Sequence, residues 1–506
     1  MKLAILHYHL GPGGVTRVIG NHLRCLSGDP AIEAVAIVSD GDRSGWAHDD
    51  FGFPVRFLDF PEMAYQESDT FDPQFADRLE SSLVEQGFDR ESTCLHAHNH
   101  SLGKTAEVAA ALATLVDRGW RVLYQIHDFA EDFRPEGYGR LRRVFGDRFG
   151  PRVFPPDAAA HFAVLNSEDR RSLQTAGVPD DRLHFLPNPV LPSSSASSRP
   201  SRDEARQRFA DVFGLEPEAT FWLYPVRGIR RKNIGEAVLL AAAKWRHHEG
   251  TPAVVAITLA PANPNERPQW DEWIDVVDRY GLPVVFGSGD SGRMSYAENL
   301  AAADAIVTTS IAEGFGMVFL EAWLNDLPLI GRDLPGITQD FTAAGVDLSA
   351  MYQTLPIPLG WFHWEAFRDR MADAFATLSE RYEQTPPTPA DFADRFVDPT
   401  ERAGKIDFAR LDEAAQREVI GRVLQDSAAA AAIVGCLTEP SQDVVAANRQ
   451  VVESVYGEAA SRERLLAVYR AVVGGVGTAA SVDPGRLLTD ADFGKLSLDR
   501  FRMLRT

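Results

Sequence analysis

Along the first 191 residues, apolar runs of strand length alternate with amphipathic segments of helix length. The runs "KLAILHYH", "EAVAIVSD", "STCLHAH", "RVLYQIHD" and "AHFAVLN" are separated by segments such as Thr16 to Leu26, Pro73 to Gln86 and Lys104 to Asp117. That alternation predicts parallel sheets covered by helices. The Ser/Pro-rich stretch "PSSSASSRPSR", residues 192–202, breaks the pattern and reads as a linker. A second α/β series follows in "TFWLYPV", "AVVAITLA", "LPVVFGS", "DAIVTTS" and "LPLIG". The expected organisation is therefore an N-terminal Rossmann-like domain over 1–191, a linker over 192–202 and a second Rossmann-like domain over 203–346, with a cleft between the two sheets. From about Asp347 the alternation fades, and 347–506 is expected to be a mostly helical extension. Its clearest helical stretch is Arg449 to Val473, its Pro-rich break is "TPPTPADF", and the tail after Ser481 carries little pattern.

Composition narrows the function. A chain of 506 residues has room for about three domains at ~150 residues each. Its 45% hydrophobic content is enough for sizeable cores. A formal charge of −21 and a pI near 5.1 argue against non-specific nucleic-acid binding, which needs a basic face. An anionic ligand would need a local cationic site. Three cysteines, Cys25, Cys94 and Cys436, lie far apart and suit a reducing compartment without a metal knuckle. The start "MKLAILHYHLGPGG" reads as a first strand running into a glycine loop rather than a signal peptide. No stretch approaches ~18 consecutive apolar residues, so no transmembrane segment is expected and the chain reads as cytoplasmic.

In open parallel sheets, ligands bind beyond the carboxyl ends of the strands. Four such positions hold candidate chemistry. In "GPGGVTR", Gly13 and Gly14 would let backbone N–H groups approach a phosphate at a helix N-terminus. Thr16 stands where a dinucleotide fingerprint needs its third glycine, which weakens a hydride-transfer reading; a plain tight turn is the alternative. In "QIHDF", His127 ends a strand, suited to bonding a sugar hydroxyl or simply buried. Nearby "HAHNH" puts His96, His98 and His100 on one face if the strand continues through them. A zinc site, an acceptor contact and strand-end packing are all open there, with no cysteine or carboxylate cluster alongside. In "YPVRGIRRKNIGEAV", Arg227 and Lys232 are two cations that could share one diphosphate, or form a solvated basic turn. Lysine is scarce, with six among 51 basic residues, so its presence there is less easily accidental. In "TTSIAEGFGMVFLEAW", the amides of Gly316, Met317 and Val318 are a candidate anion site. Glu313 and Glu321 flank it. Carboxylates repel phosphates, so these two are suited to accepting hydrogen bonds from hydroxyls on either side, or are ordinary turn and helix residues.

The stretch "EGFGMVFLE" resembles the E-x7-E motif of retaining glycosyltransferases of GT-B fold, family 4. The context "YAENLAAADAIVTTSIAEGFGMVFLEAWLNDLPLIG" is similar to that family's donor-site segment almost throughout. "VRGIRRKN" resembles its Arg/Lys diphosphate pair, "GPGG" its N-terminal glycine loop, "IHD" its active-site histidine and "FLPNPV" the end of its first domain. The likeness covers roughly 1–345 and is most specific over 224–336; Arg449 to Val473 resembles the family's terminal helices.

The resemblance implies a GT-B fold and transfer of a sugar from a nucleoside-diphosphate sugar to an acceptor hydroxyl with retention of anomeric configuration. It implies no metal and no cofactor, since the nucleotide sugar is a substrate. By position, Arg227 and Lys232 would neutralise the leaving diphosphate, and Glu321 would hold the ribose. Glu313 would contact the transferred sugar with the Gly316 to Val318 amides assisting. Gly13 and Gly14 would close over the diphosphate from the other domain, and His127 would lie near the anomeric centre. Arg17, His98 and Asn99 are candidate acceptor contacts; the acceptor could be a small molecule, a glycan or a lipid-linked sugar. Asp326 departs from the glycine usual before "LP", and residues 347–440 are longer than the family's usual close. An epimerase, a glycoside phosphorylase and a non-catalytic sugar-nucleotide-binding subunit are the rival readings on the same fold.

Overall fold

A computed structural model describes residues 1–46, 50–192, 200–247, 253–475, 477–492 and 494–505. Most of the expected linker, 193–199, lies outside the described residues. The chain divides into two compact units. Unit 1 comprises Met1–Leu191, Leu378–Thr385 and Ser454–Arg500, and unit 2 comprises Pro192–Thr377, Pro386–Glu453 and Phe501–Thr506.

Unit 1 is built on seven strands: β1 (Lys2–Leu6), β2 (Ala34–Ser39), β3 (Val55–Asp59), β4 (Thr93–His98), β5 (Arg121–Ile126), β6 (Ala160–Val164) and β7 (Leu183–Phe185). They lie parallel in the order β3-β2-β1-β4-β5-β6-β7. The interior strands are apolar along nearly their whole length because helices bury both sheet faces. The order reverses between β1 and β4, so the loops leaving these neighbours part in opposite directions and open a crevice at their carboxyl ends. The glycine loop follows β1, and His98 and Asn99 close β4. Helix α1 (Gly14–Leu26) packs Ile19 and Leu23 into a core with Leu3 and Ile5.

Unit 2 carries five parallel strands, β8 (Phe221–Arg227), β9 (Val254–Leu259), β10 (Val284–Phe286), β11 (Ala305–Thr308) and β12 (Leu329–Gly331), in the order β10-β9-β8-β11-β12. Its reversal falls between β8 and β11. The loops after those two strands carry Arg227 to Asn233 and Thr309 to Gly316.

Residues 347–506 form no body of their own; they are shared between the units. Residues 386–453 belong to unit 2, where the Arg332 guanidinium joins Glu236 and Asp407, each at 2.8 Å, in a network almost sealed from water. A short antiparallel strand pair, Pro356–Pro358 with Lys405–Asp407, lies in this otherwise helical region. Residues 454–500 return to unit 1. There the helix Glu458–Gly474 buries Leu465, Leu466, Tyr469 and Val472 in the β1 and α1 core. The stretch Arg449 to Val473 is two helices, because Gly457 in extended conformation ends one register and caps the next. No helix among the described residues is long and apolar enough to cross a membrane.

Candidate active site

At the switch point of unit 2, the Arg227 to Asn233 loop is locked onto the Thr309 to Glu313 loop. The Tyr224 hydroxyl donates to the Lys232 carbonyl at 2.7 Å and meets the Ser310 hydroxyl at 3.0 Å. The Thr309 hydroxyl bridges the Lys232 and Asn233 carbonyls, both at 3.1 Å, and the Ile311 N–H donates to the Arg231 carbonyl at 3.0 Å. On its other side the loop is held by tryptophans. A Cβ on Gly228 would sit 2.0 Å from the Trp270 ring, and one on Gly235 would sit 2.5 Å from Trp273, so only glycine backbone passes there. Asn233 takes a left-handed φ of 51°, and its side chain donates to Glu236 at 2.7 Å, which turns the chain from the loop into the helix Ile234–His247.

This scaffold brings Lys232 and Glu313 together. The Lys232 ammonium donates directly to Glu313 Oε1, both side chains being nearly buried, and Arg231 stands 3.7 Å from Oε2. Burial pushes the Glu313 carboxyl up, but Lys232 and Arg231 outweigh it, so its pKa ends below the ordinary value and the group is ionised at neutral pH. An ionised carboxylate can only accept hydrogen bonds, which suits it to hydroxyls. Arg227 ends β8 with an exposed side chain donating to the Ala260 carbonyl at 3.1 Å. Gly316 has φ +83°, and a Cβ there would lie 2.8 Å from Phe319, so the turn requires glycine. Met317 follows as the cap of the seven-residue helix Val318–Leu324. The N–H groups of Phe319, Leu320 and Glu321 are spent on the Gly316 and Met317 carbonyls, and half-buried Glu321 sits within the first helical turn.

In unit 1, α1 begins at Gly14 with Gly13 extended before it, and the Thr16 hydroxyl donates to the Gly11 carbonyl at 2.7 Å. A Cβ on Gly14 would meet nothing within 4 Å, so the protein's own packing does not demand its bare backbone. Arg17 follows, exposed, with its N–H donating to the Gly13 carbonyl at 3.2 Å. Across the β1/β4 crevice, Asn99 adopts φ 58°, and its side-chain oxygen accepts the N–H groups of His127 and Asp128 at 2.7 and 3.1 Å. The rings of His98 and His127 share a hydrogen bond of 2.9 Å. Burial lowers the His127 pKa to about 4, so both imidazoles are neutral at physiological pH.

His100 does not continue the face of His96 and His98. The strand ends at His98, the left-handed turn at Asn99 redirects the chain, and His100 Nε2 bonds the Val153 carbonyl at 2.7 Å. His22 of α1 takes its place beside the other two. Two further features escaped the strand-end argument. The Lys232–Glu313 pair joins residues 81 apart, which local spacing cannot show. Lys104 lies over the Tyr65 ring at 5.1 Å and makes no ion pair among the described residues. Its pKa is lowered first by burial and then by the positive charges of Arg134 and Arg140. The segment "FAEDFRPEGYGR" holds both arginines, but Lys104 lies some 30 residues earlier in the chain.

Residues 13–189 match the family described as Glycosyl transferase 4-like domain. The chain is 26% identical over 352 residues to a mannosylglucosyl-3-phosphoglycerate synthase of Petrotoga mobilis, a match covering 67% of this chain and 66% of that protein. It is 26% identical over 185 residues to a trehalose synthase of Rubrobacter xylanophilus, covering 35% of this chain and 42% of the relative. The chain thus spans just under two thirds of the first relative's length and less of the second's. Among solved structures, a sucrose-phosphate synthase from Thermosynechococcus elongatus aligns with a TM-score of 0.54 at 14% identity, over 94% of this chain and 100% of that one. The catalytic domain of starch synthase IV from Arabidopsis thaliana, bound to ADP and acarbose, aligns at 0.50 and 13% identity, over 94% and 99%. At such identities the likeness establishes the fold.

Proposed function

We propose that this chain, which belongs to the GT-B glycosyltransferases of the family 4 kind, moves a sugar from a nucleoside-diphosphate sugar to an acceptor hydroxyl with retention of configuration. The observation that carries this reading is the Lys232–Glu313 pair at the β8/β11 switch point, one cation and one ionised carboxylate fixed side by side. A diphosphate approaching there meets Lys232 and, with a side-chain swing, Arg227. The leaving charge is stabilised by these cations and the Gly316 to Val318 amides. Glu313 stays ionised and grips hydroxyls of the sugar, while Glu321 grips the ribose.

In unit 1, Gly13 and Gly14 have the backbone N–H groups, and His127 the neutral imidazole, that the family resemblance assigns to phosphate and sugar. A donor phosphate oxygen takes the acceptor proton, so the transfer step draws its electrostatic stabilisation from side chains and amides and needs no metal.

The cationic group Lys104, Arg134 and Arg140 supports an acceptor that bears a phosphate or carboxylate. Arg134 is already matched by Asp128 at 2.8 Å, whereas Lys104 makes no ion pair among the described residues. The phosphoglycerate in the name of the Petrotoga relative is an anion of this kind. Arg17 and Asn99 would contact the same acceptor, while buried His98 acts through its bond to His127.

Thermal-shift measurements with UDP, GDP, ADP and inorganic phosphate on wild type and Lys232→Ala test the donor site. One nucleoside diphosphate should stabilise the wild type by about 2.7 kcal/mol at ~100 times its dissociation constant, and the variant much less. Equal stabilisation of both proteins, or stabilisation by phosphate alone, overturns the assignment. Turnover with the matching nucleotide sugar and no acceptor would instead favour an epimerase.

A further inference from the structure

Three imidazoles from two elements of unit 1 converge in its core. His96 and His98, two residues apart on β4, have ring centroids 4.3 Å apart. His22, from the buried face of α1, lies 5.7 Å from the first ring and 5.8 Å from the second. All three are almost wholly shielded from water, and one ring nitrogen from each falls within 4.8 Å of the others. Among the described residues, neither nitrogen of His22 has a hydrogen-bond partner, nor does Nε2 of His98. Other buried polar atoms of the chain also lack partners, but here three converge in one spot.

The surrounding bonds settle which nitrogen each ring can offer. The Gln125 amide nitrogen donates to the Leu186 carbonyl at 3.4 Å, so its oxygen accepts from His96 Nε2 at 3.0 Å. The proton of His96 therefore sits on Nε2, and Nδ1 keeps its lone pair, which now accepts from the Tyr469 hydroxyl at 2.9 Å. When His98 donates through Nδ1 to Nε2 of His127, its own Nε2 is a bare lone pair facing His22 and His96. A ligating histidine usually donates its second nitrogen to such a fixed outer partner, and Gln125 and His127 fill that role here.

We infer that His22, His96 and His98 form a binding site for a borderline divalent transition ion such as zinc, with the Tyr469 oxygen, its proton released to solvent as the ion binds, at the fourth position. Zinc–nitrogen bonds of ~2.0–2.1 Å require the rings to close by roughly 1 Å on the ion. Imidazole ligands favour zinc, cobalt, nickel or copper over magnesium or calcium, which take oxygen. Burial keeps all three rings neutral, the protonation state that ligation requires. The ion would tie α1, β4 and the helix Glu458–Gly474 together and hold His98, a positioning residue, against His127. It touches neither donor nor acceptor, so the site stands or falls independently of the donor reading.

The test uses the full chain, stripped with chelator and titrated with Zn²⁺, Co²⁺ and Mg²⁺. Stripped wild type should bind about one equivalent of Zn²⁺ and gain several degrees in Tm. Co²⁺ should give visible absorption of a tetrahedral site, and Mg²⁺ should do neither. His22→Gln should weaken zinc binding at least about tenfold. Binding of less than about a tenth of an equivalent by the wild type overturns the site, as does unchanged affinity in a folded His22→Gln chain. Should His22→Gln fail to fold, the wild-type titration and cobalt spectrum decide alone.

Discussion

Replacing Lys232 by methionine removes the cation beside Glu313 and leaves a carboxylate whose side chain is only 10% exposed. Breaking a buried ion pair by deleting one partner costs about 3–5 kcal/mol, because the survivor is left desolvated. Here Arg231 stays 3.7 Å from Oε2, an attraction of about 4 kcal/mol at an effective dielectric near 20 before desolvation is counted. That residual partner lowers the expected loss to about 2–3 kcal/mol. For a body the size of unit 2 this is a fall of roughly 5–10 °C in melting temperature, read by calorimetry on the unliganded protein.

The informative comparison is the double variant Lys232→Met/Glu313→Gln. With both charges gone the desolvation penalty goes too, so stability should return to within about 1 kcal/mol of wild type. Turnover should stay down by about 10²- to 10³-fold, since the groups that stabilise leaving charge are absent. A single variant as stable as wild type would refute the buried pair. A double variant no more stable than the single would show that Lys232 acts through packing rather than charge. Full turnover in either would remove the pair from the mechanism.

Glu321→Ala should weaken the stabilising nucleoside diphosphate by roughly 10- to 100-fold, the worth of a hydrogen bond to an ionised group, measured by calorimetric titration; unchanged affinity removes Glu321 from the ribose. Lys104→Ala should raise KM for an anionic acceptor while leaving KM for the nucleotide sugar unchanged, in steady-state assays; equal effects on both would count against an acceptor role. Acid should destabilise unit 1, because burial holds His7 and His96 at about 3 and His127 at about 4. These folded values lie below the ordinary 6.5, so the unfolded chain takes up protons first. Stability is therefore full above pH 6.5 and falls toward pH 4, by up to about 1.4 kcal/mol per histidine per pH unit. Urea midpoints that match at pH 7.5 and 5 would contradict it.

Local pattern was enough to announce two parallel α/β sheets, because strands buried on both faces and helices buried on one leave different periodicities in the sequence itself. It was also enough to place Lys232, Glu313 and His127 at strand ends, since a strand end is a local event. Which strand ends become neighbours was beyond its reach. Strand order is a matter of crossovers, and only the β1/β4 and β8/β11 adjacencies say which loops open on a switch point. Lys232 and Glu313 were each legible alone; their ion pair depends on Tyr224 and Thr309 stitching two loops whose contacts leave no periodic trace. His22 looked like one more residue of an amphipathic helix until the packing of α1 on β4 set it between His96 and His98. The closing helices looked like a single stretch, yet Gly457 divides them, and the apolar face of Glu458–Gly474 sends the chain back to unit 1. Periodicity reports how each segment meets its own surroundings, whereas the partners of a side chain are fixed by long-range packing that only the folded chain possesses.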